Sequence, residues 1–299
     1  MDMQSNPTIV YHIGAPFTDN DQMIWSLRKD INLLVDKGIL LRRPKAFRPL
    51  ISQLMDRLDG AEASTEDQQA LLESIVKDLE ISRLILSDAS YMGDPGEMLK
   101  GGGFFADVGP NVRSLRQLFP DVPGEIFLCI RNPALLVPEA FNALKDKDYE
   151  RFSNGADLLS LRWSDVIDRL QRANPDCPIT VWCNEDTPII WPGILGKVTG
   201  IEDATRFAGE LDIICSIMTE DGGARLKAYL DARPQFTEKQ RRSIRTIFLE
   251  KFVLEDAIEE EIDLPGLTEA MADQISEAYE DDVSVIAQMP GVTFLSGGE

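Results

Sequence analysis

Short runs of apolar, largely β-branched residues recur along this chain, and segments with helical spacing lie between them. The runs are 8–13 (TIVYHI), 38–41 (GILL), 84–86 (LIL), 125–130 (EIFLCI) and 179–183 (ITVWC). Most are apolar at odd and even positions alike. A strand with one wet face alternates, whereas a strand covered on both faces does not. The pattern therefore demands helices above and below a mainly parallel sheet.

The intervening segments supply those helices. Residues 23–35 carry Met23, Ile24, Leu27, Ile31, Leu34 and Val35 at helical spacing and stop before Gly38, a residue suited to the position past a helix end. In 64–68 (STEDQ), Thr65 and Gln68 are spaced as a capping box ahead of Leu71, Leu72, Ile75 and Leu79. Residues 112–119, 135–144 and 163–173 read as further helices. Strands alternating with helices predict an α/β fold with a doubly wound, mainly parallel sheet and right-handed crossovers. After Pro192 helical patterns follow one another, at 203–218, 223–232, 237–260 and 267–288. No low-complexity linker and no internal repeat interrupts the chain. The expectation is one domain over 1–299, with a sheet core at 1–192 and a mainly helical cap at 193–299, ending in a frayed tail at 296–299.

Charge narrows the partners. Lys and Arg number 30 against 51 Asp and Glu, a net charge of −21. Nucleic acid is therefore a poor partner, because affinity there comes mainly from neutralising phosphates. Between Glu250 and Glu299 fourteen acids face one base, Lys251. Leu267, Met271, Ile275 and Tyr279 give that stretch helical spacing, so its acids form either a solvated helix face or a docking surface for a basic protein partner. No apolar stretch approaches the ~20 residues of a membrane span. The first residues, MDMQSNPTIVYHIG, have neither the basic nor the apolar region of a signal peptide. Cys129, Cys177, Cys183 and Cys215 are scattered without metal-ligand spacing and read as core residues of a reducing, cytoplasmic environment. No metal site is expected.

Ligands of open α/β sheets bind at the carboxyl ends of the strands. The first run is followed by Gly14, Ala15, Pro16, Phe17, Thr18, Asp19, Asn20 and Asp21, then a helix. A strand, a glycine turn and a helix N-terminus present backbone N–H groups to a phosphate. Loops that hold phosphate usually add a Lys.

The segment Tyr11-His12-Ile13-Gly14-Ala15-Pro16-Phe17-Thr18 resembles the first loop of bacterial sulfotransferase-like proteins, which runs His-Ile-Gly, two variable residues, then Lys-Thr-Gly-Thr. Three more segments resemble that family in the same order. Leu84-Ile85-Leu86-Ser87-Asp88 is similar to a strand ending in Ser-x-Glu. Phe127 to Pro133 is similar to a strand ending in Arg-x-Pro that leads to a 3′-phosphate site. Ala278 to Val292 is similar to the C-terminal helix and turn. The resemblance implies the topology of the P-loop nucleoside triphosphate hydrolases and sulfotransferases. It also implies 3′-phosphoadenosine 5′-phosphosulfate as cofactor, donating a sulfuryl group to a hydroxyl or amine. Gly14, Thr18 and Arg131 are the cofactor-binding positions that remain.

The departures fall where that cofactor would sit. Phe17 replaces the Lys, Asp19 the Gly and Asn20 the Thr, and Asp21 adds a second acid. Ala89 replaces the Glu that follows Ser, and Glu139 stands where a Ser would contact the 3′-phosphate. An acid about 4 Å from a phosphate costs about 4 kcal/mol at an effective dielectric near 20. Acids at a helix start also satisfy free N–H groups and favour its positive end. The expectation is a sulfotransferase-like protein that has lost its cofactor and acts as a binding or scaffold protein. The alternative is an active sulfotransferase. His12, the only histidine, is then the candidate catalytic base; otherwise it is a buried structural residue. Gly101-Gly102-Gly103 reads as a flexible loop or an anion cradle, and Glu185 faces the ligand end of the sheet without an assigned role.

Overall fold

A computed structural model describes residues 7–77, 79–201, 207–254 and 263–297. The expectations for residues 203–206 and 255–260 of the helical patterns, for residues 1–6, and for 298–299 of the tail lie outside the described residues. The apolar runs form β1 (Thr8–His12), β2 (Ile39–Leu41), β3 (Arg83–Ser87), β4 (Gly124–Ile130) and β5 (Ile179–Cys183), and a further strand, β6 (Val292–Leu295), completes the sheet. All neighbours pair in parallel in the order β2-β3-β1-β4-β5-β6. The central β1 lies between β3 and β4, unlike both the Rossmann order and the flavodoxin-like order. The chain goes from β1 to the sheet edge, returns to β3, then passes β1 to reach β4. The carboxyl ends of β1, β3 and β4 therefore meet where the direction of winding changes.

Helices cover both faces, as the apolar runs require. Between β1 and β2 lie α1 (Gln22–Arg28) and α2 (Ile31–Asp36), and between β2 and β3 lie α3 (Pro44–Leu58) and α4 (Thr65–Val76). They are followed by α5 (Val108–Arg116), α6 (Pro133–Ala143), α7 (Tyr149–Ser153), α8 (Trp163–Ala173) and α9 (Thr187–Thr199). The remaining helices are α10 (Asp212–Ser216), α11 (Glu220–Asp231), α12 (Glu238–Phe252) and α13 (Glu269–Ile286). Ile9, Tyr11, Leu84, Leu86, Ile126, Leu128 and Val181 point to the side packed by α3, α4, α5, α6, α8 and α13. Val10, Ile85, Phe127, Cys129 and Trp182 point to the side packed by α1, α2 and α9. Each fully buried aliphatic or aromatic side chain contributes about 1.5–3 kcal/mol of transfer free energy. Among the described residues no helix is long and apolar enough to cross a membrane.

Several local expectations need correction. The pattern at 23–35 forms two helices, because the chain turns at Lys29 and Asp30, where the Asp30 carboxylate accepts the Ala208 N–H at 2.7 Å. The cap of α4 is Ser64, one residue before Thr65, and its hydroxyl accepts the Asp67 N–H at 3.1 Å. Trp191 and Pro192 are buried inside α9, so the run of helices begins before Pro192. The division at 192/193 also shifts. Helix α9 runs across it along the sheet, α13 packs on α6 and α8, and β6 lies in the sheet. Among the described residues, only α10, α11 and α12 build a separate small core, around Ile214, Met218, Leu226 and Leu230.

That satellite is fastened by buried charge. Arg241 of α12 donates to Glu210 at 2.6 Å, and Arg245, fully buried, donates to Glu238 and to the Ile189 carbonyl of α9. Glu210 Oε2, Glu238 Oε2, Arg241 Nε and Arg245 Nη1 have no hydrogen-bond partner among the described residues. Burial outweighs the nearby arginines and pushes the Glu210 carboxyl up to about 7. A carboxyl whose folded pKa exceeds its unfolded value binds more protons when folded, so its ionisation destabilises the fold as pH rises. The window runs from the unfolded value near 4.3 to the folded value of about 7. Urea unfolding of the wild type and Glu210→Gln between pH 5 and 8 checks this (a range chosen to bracket about 7). The glutamine variant gains stability relative to wild type as pH rises; parallel profiles would refute the titration.

Candidate functional site

The carboxyl end of β1 is held tightly. The ladder continues past His12, with Ile13 N–H donating to Phe127, Ala15 N–H to Cys129 and Cys129 N–H to Gly14 at 2.6–3.0 Å. Gly14 adopts a φ of +107°, and a Cβ there would lie 3.1 Å from both Cα and Cβ of Ala89. Glycine at 14 thus suits both the left-handed backbone and the close approach of the turns after β1 and β3. The Thr18 hydroxyl donates to the Ala15 carbonyl at 2.7 Å. Phe17 has a φ of 59°, a left-handed conformation costly for a bulky residue. Its carbonyl accepts Arg131 Nη1 at 2.6 Å.

The two acids of the loop have different partners. Asp21 is the N-cap residue of α1 but its side chain makes no cap bond; Asp19, two residues earlier, instead accepts the Met23 N–H at 3.1 Å with Oδ2 and the Asp21 N–H at 3.3 Å with Oδ1. A carboxylate there satisfies free donors and meets the positive end of the helix dipole. Asp21 pairs with Arg48 of α3. Arg48 also contacts Asp88 at 3.1 Å and donates to the Ser87 carbonyl at 2.7 Å. One guanidinium therefore ties the loop after β1 to the end of β3. Sequence reasoning missed Arg48 because it belongs to no motif and α3 was not anticipated.

The same arrangement recurs beyond β4. Arg131, buried at the head of α6, forms an ion pair with Glu139 one turn and more along that helix. Glu185, after β5, accepts the Asn132 N–H at 2.9 Å with Oε1 and the Tyr279 hydroxyl at 3.0 Å with Oε2. The role of Glu185, unassigned from sequence, is to satisfy the chain entering α6 and to anchor α13. Asp19, Glu139 and Glu185 thus occupy the donors and the cation at the carboxyl edge.

His12 is 2% exposed and stacks on Trp182 with ring centroids 5.9 Å apart. Its Nδ1 lies 2.8 Å from Ser87 Oγ, and Nε2 has no partner among the described residues. Burial lowers its pKa against the opposing influence of Asp19. The ring is closed off from solvent, and burial favours its neutral form. Burial holds three thiols in the protonated form, raising Cys129 well above its ordinary value and Cys177 and Cys183 to about 12; it also raises Cys215, which is only half-buried. Among the described residues no three His, Cys, Asp or Glu side chains converge to hold a metal. Gly101 and Gly102 lie in a turn between Leu99 and Gly103, ahead of α5 and not at its start.

Acidic residues of α13 serve two purposes. Asp282 is buried and accepts both N–H and hydroxyl of Ser164, holding the first turn of α8. Glu269, Asp273, Glu277 and Asp281 are exposed and spaced four apart on one ridge. The buried face is Ala272, Ile275, Tyr279, Asp282 and Ile286, so Leu267 and Met271 of the anticipated stripe are only half-buried.

A neutral His12 has a measurable signature. Folding depresses its pKa, so its contribution to stability is intact above the unfolded value near 6.5 and is lost as pH falls below it. As the single histidine, it gives one imidazole signal in an NMR titration. That signal should titrate below the free value of about 6.5. Titration near 6.5 would show that the ring is solvent-accessible.

Comparison with family models, with curated proteins and with solved structures gives no match.

Proposed function

We propose that this chain is a non-catalytic, sulfotransferase-like protein whose donor-nucleotide site is filled by its own carboxylates, and that it works as a binding or scaffold protein. The observation that carries the reading is the occupation of the phosphate-type donors. Asp19 takes the N–H groups at the start of α1, and Glu139 takes Arg131. Phe17 leaves the loop without the cation that would offset them. The central β1, followed by a glycine turn and a helix in an all-parallel sheet, is in keeping with the P-loop topology that the resemblance implies. The burial of His12 favours this reading over an active transferase.

Two carboxylates next to two phosphates oppose binding by about 4 kcal/mol each at an effective dielectric near 20. Calorimetric titration with adenosine 3′,5′-bisphosphate should therefore give no binding heat with the wild type. The Phe17→Lys, Asp19→Gly, Glu139→Ser variant should acquire measurable affinity. Removing the Asp19 carboxylate costs that variant about 1 kcal/mol of stability, so its thermal melt is recorded alongside. Micromolar binding to the wild type defeats the proposal.

The exposed ridge of α13 supports a basic protein as the partner. Glu269, Asp273, Glu277 and Asp281 form no ion pair among the described residues, and like charges four apart on a helix repel. Ile275, Tyr279 and Ile286 belong to the main core, so deleting α13 would disrupt the fold and cannot serve as the test. Replacing the four acids by glutamine preserves that packing. Binding of a lysine-rich peptide should weaken with salt and be lost in this variant; equal binding by both proteins argues against the ridge.

A further inference from the structure

Acids outnumber bases in the chain as a whole, yet the stretch from Arg28 to Arg57 reverses the balance, with eight lysines and arginines against three aspartates. Three of these cations are paired: Lys29 with Asp212, Arg48 with Asp21 and Arg57 with Asp67. Arg28, Lys37, Arg42, Arg43 and Lys45 have no ion pair among the described residues. Arg28 ends α1, which rests on β2, and Arg42 and Arg43 follow β2 at the edge of the sheet. Three guanidinium groups therefore converge. Burial lowers the pKa of Arg28, and the nearby charges of Arg43 and Arg42 lower it further. Arg42 is fixed there by donating to the Ile75 and Val76 carbonyls at 2.8 and 3.2 Å.

An exposed aromatic side chain lies beside this cluster. Trp25 precedes Arg28 by three residues, so the two share one side of α1. Trp25 is 46% exposed, whereas Trp163, Trp182 and Trp191 are buried. Tryptophan and arginine are the residues on which protein contacts most often depend.

The ridge of α13 has the opposite character. Its acids Glu269, Asp273, Glu277 and Asp281 lead at the same four-residue spacing to Val285, which is 54% exposed. Each surface thus joins charge of one sign to an exposed apolar side chain. One chain cannot bring its own two surfaces together. Met23, Ile24 and Leu27 of α1 pack on one face of the sheet, and Ile275, Tyr279 and Ile286 of α13 pack on the other.

We propose that Trp25, Arg28, Arg42, Arg43 and Lys45 form a docking surface for the acidic ridge of a second copy of this chain, with Trp25 and Val285 as the apolar part of the contact. The inference rests on the ridge being a docking surface and supplies its basic partner. A small anion would engage the arginines and leave Trp25 uncovered.

Sedimentation velocity of the full chain tests this at about 0.1 M salt, where charges farther apart than about 10 Å are screened and the net repulsion of two acidic chains is blunted. The wild type should form larger species as its concentration rises. The patch variant is Arg28→Gln, Arg43→Gln, Lys45→Gln, and the ridge variant is the four-acid replacement by glutamine. Six of the seven positions are exposed and Arg28 is half-buried, so both folds are retained. Each variant alone should associate at least about tenfold more weakly than the wild type. The ridge variant has four fewer negative charges, so an effect of net charge would act in the opposite direction. Mixed together, the two variants should form a heterodimer, because one keeps the ridge and the other keeps the patch. Quenching of Trp25 by acrylamide should fall in the wild type and in the mixture as association proceeds, and in neither variant alone. A monomeric wild type, a variant that associates as well as the wild type, or a mixture that stays monomeric each overturn the proposal. A monomer whose Trp25 is shielded by phosphatidylserine vesicles overturns it in favour of a membrane surface. Binding of the lysine-rich peptide without self-association defeats this inference alone and leaves the ridge as a docking surface for another protein.

Discussion

A parallel sheet has no wet side. Its crossover helices must lie on the faces, and every strand residue must then be apolar or internally satisfied. The rest of this molecule follows from that requirement. Val10 and Tyr11 of β1 point in opposite directions and are both buried. His12 can sit in such a strand only because it stays neutral and bonds to Ser87. Side-chain chemistry is left to the carboxyl edge, where strands end and helices begin.

At that edge the physical problem is unpaired donors. Helix starts expose N–H groups, and a buried guanidinium needs an acceptor. A bound anion is one solution and a side-chain carboxylate is another. This chain uses carboxylates throughout: Asp19 at α1, Glu139 at Arg131, and Glu185 at the entry to α6. Each is supplied by a different part of the sequence. Arg48 then ties the loop after β1 to β3 through Asp21 and Asp88, so the filled arrangement is braced from a neighbouring helix. Ion pairs recur in the satellite of α10, α11 and α12, where the buried Arg241 and Arg245 meet Glu210 and Glu238. The chain thus spends part of its large acidic excess on internal bonds, as Asp282 also shows at α8.

Much of the fold was legible because periodicity is a local property. Runs apolar on both faces placed β1 to β5, and the spacing at 163–173 matched α8. The acids at 19 and 139 were visible in the sequence, and so was the service of a loop acid to the free N–H groups at the start of α1. Three features were not legible. Strand β6 is short and half-exposed at the sheet edge, so its four residues carry no clear pattern. Arg48 and Glu185 act on residues distant in sequence, and their partners exist only once β1, β3, β4 and β5 are side by side.

The sequence by itself determined that strands and helices alternate, that the sheet is covered twice, and that the loop after β1 lacks a phosphate-type cation. Tertiary structure decided the strand order, the membership of β6, the partners of Arg48, Arg131 and Glu185, and the convergence of Arg28, Arg42 and Arg43. The division has one physical reason. Hydrophobic spacing and helix capping are settled among residues a few positions apart. Ion pairs, buried hydrogen bonds and cavities are settled by which elements meet, and β1 meets β3 and β4 only through crossovers that no local pattern encodes.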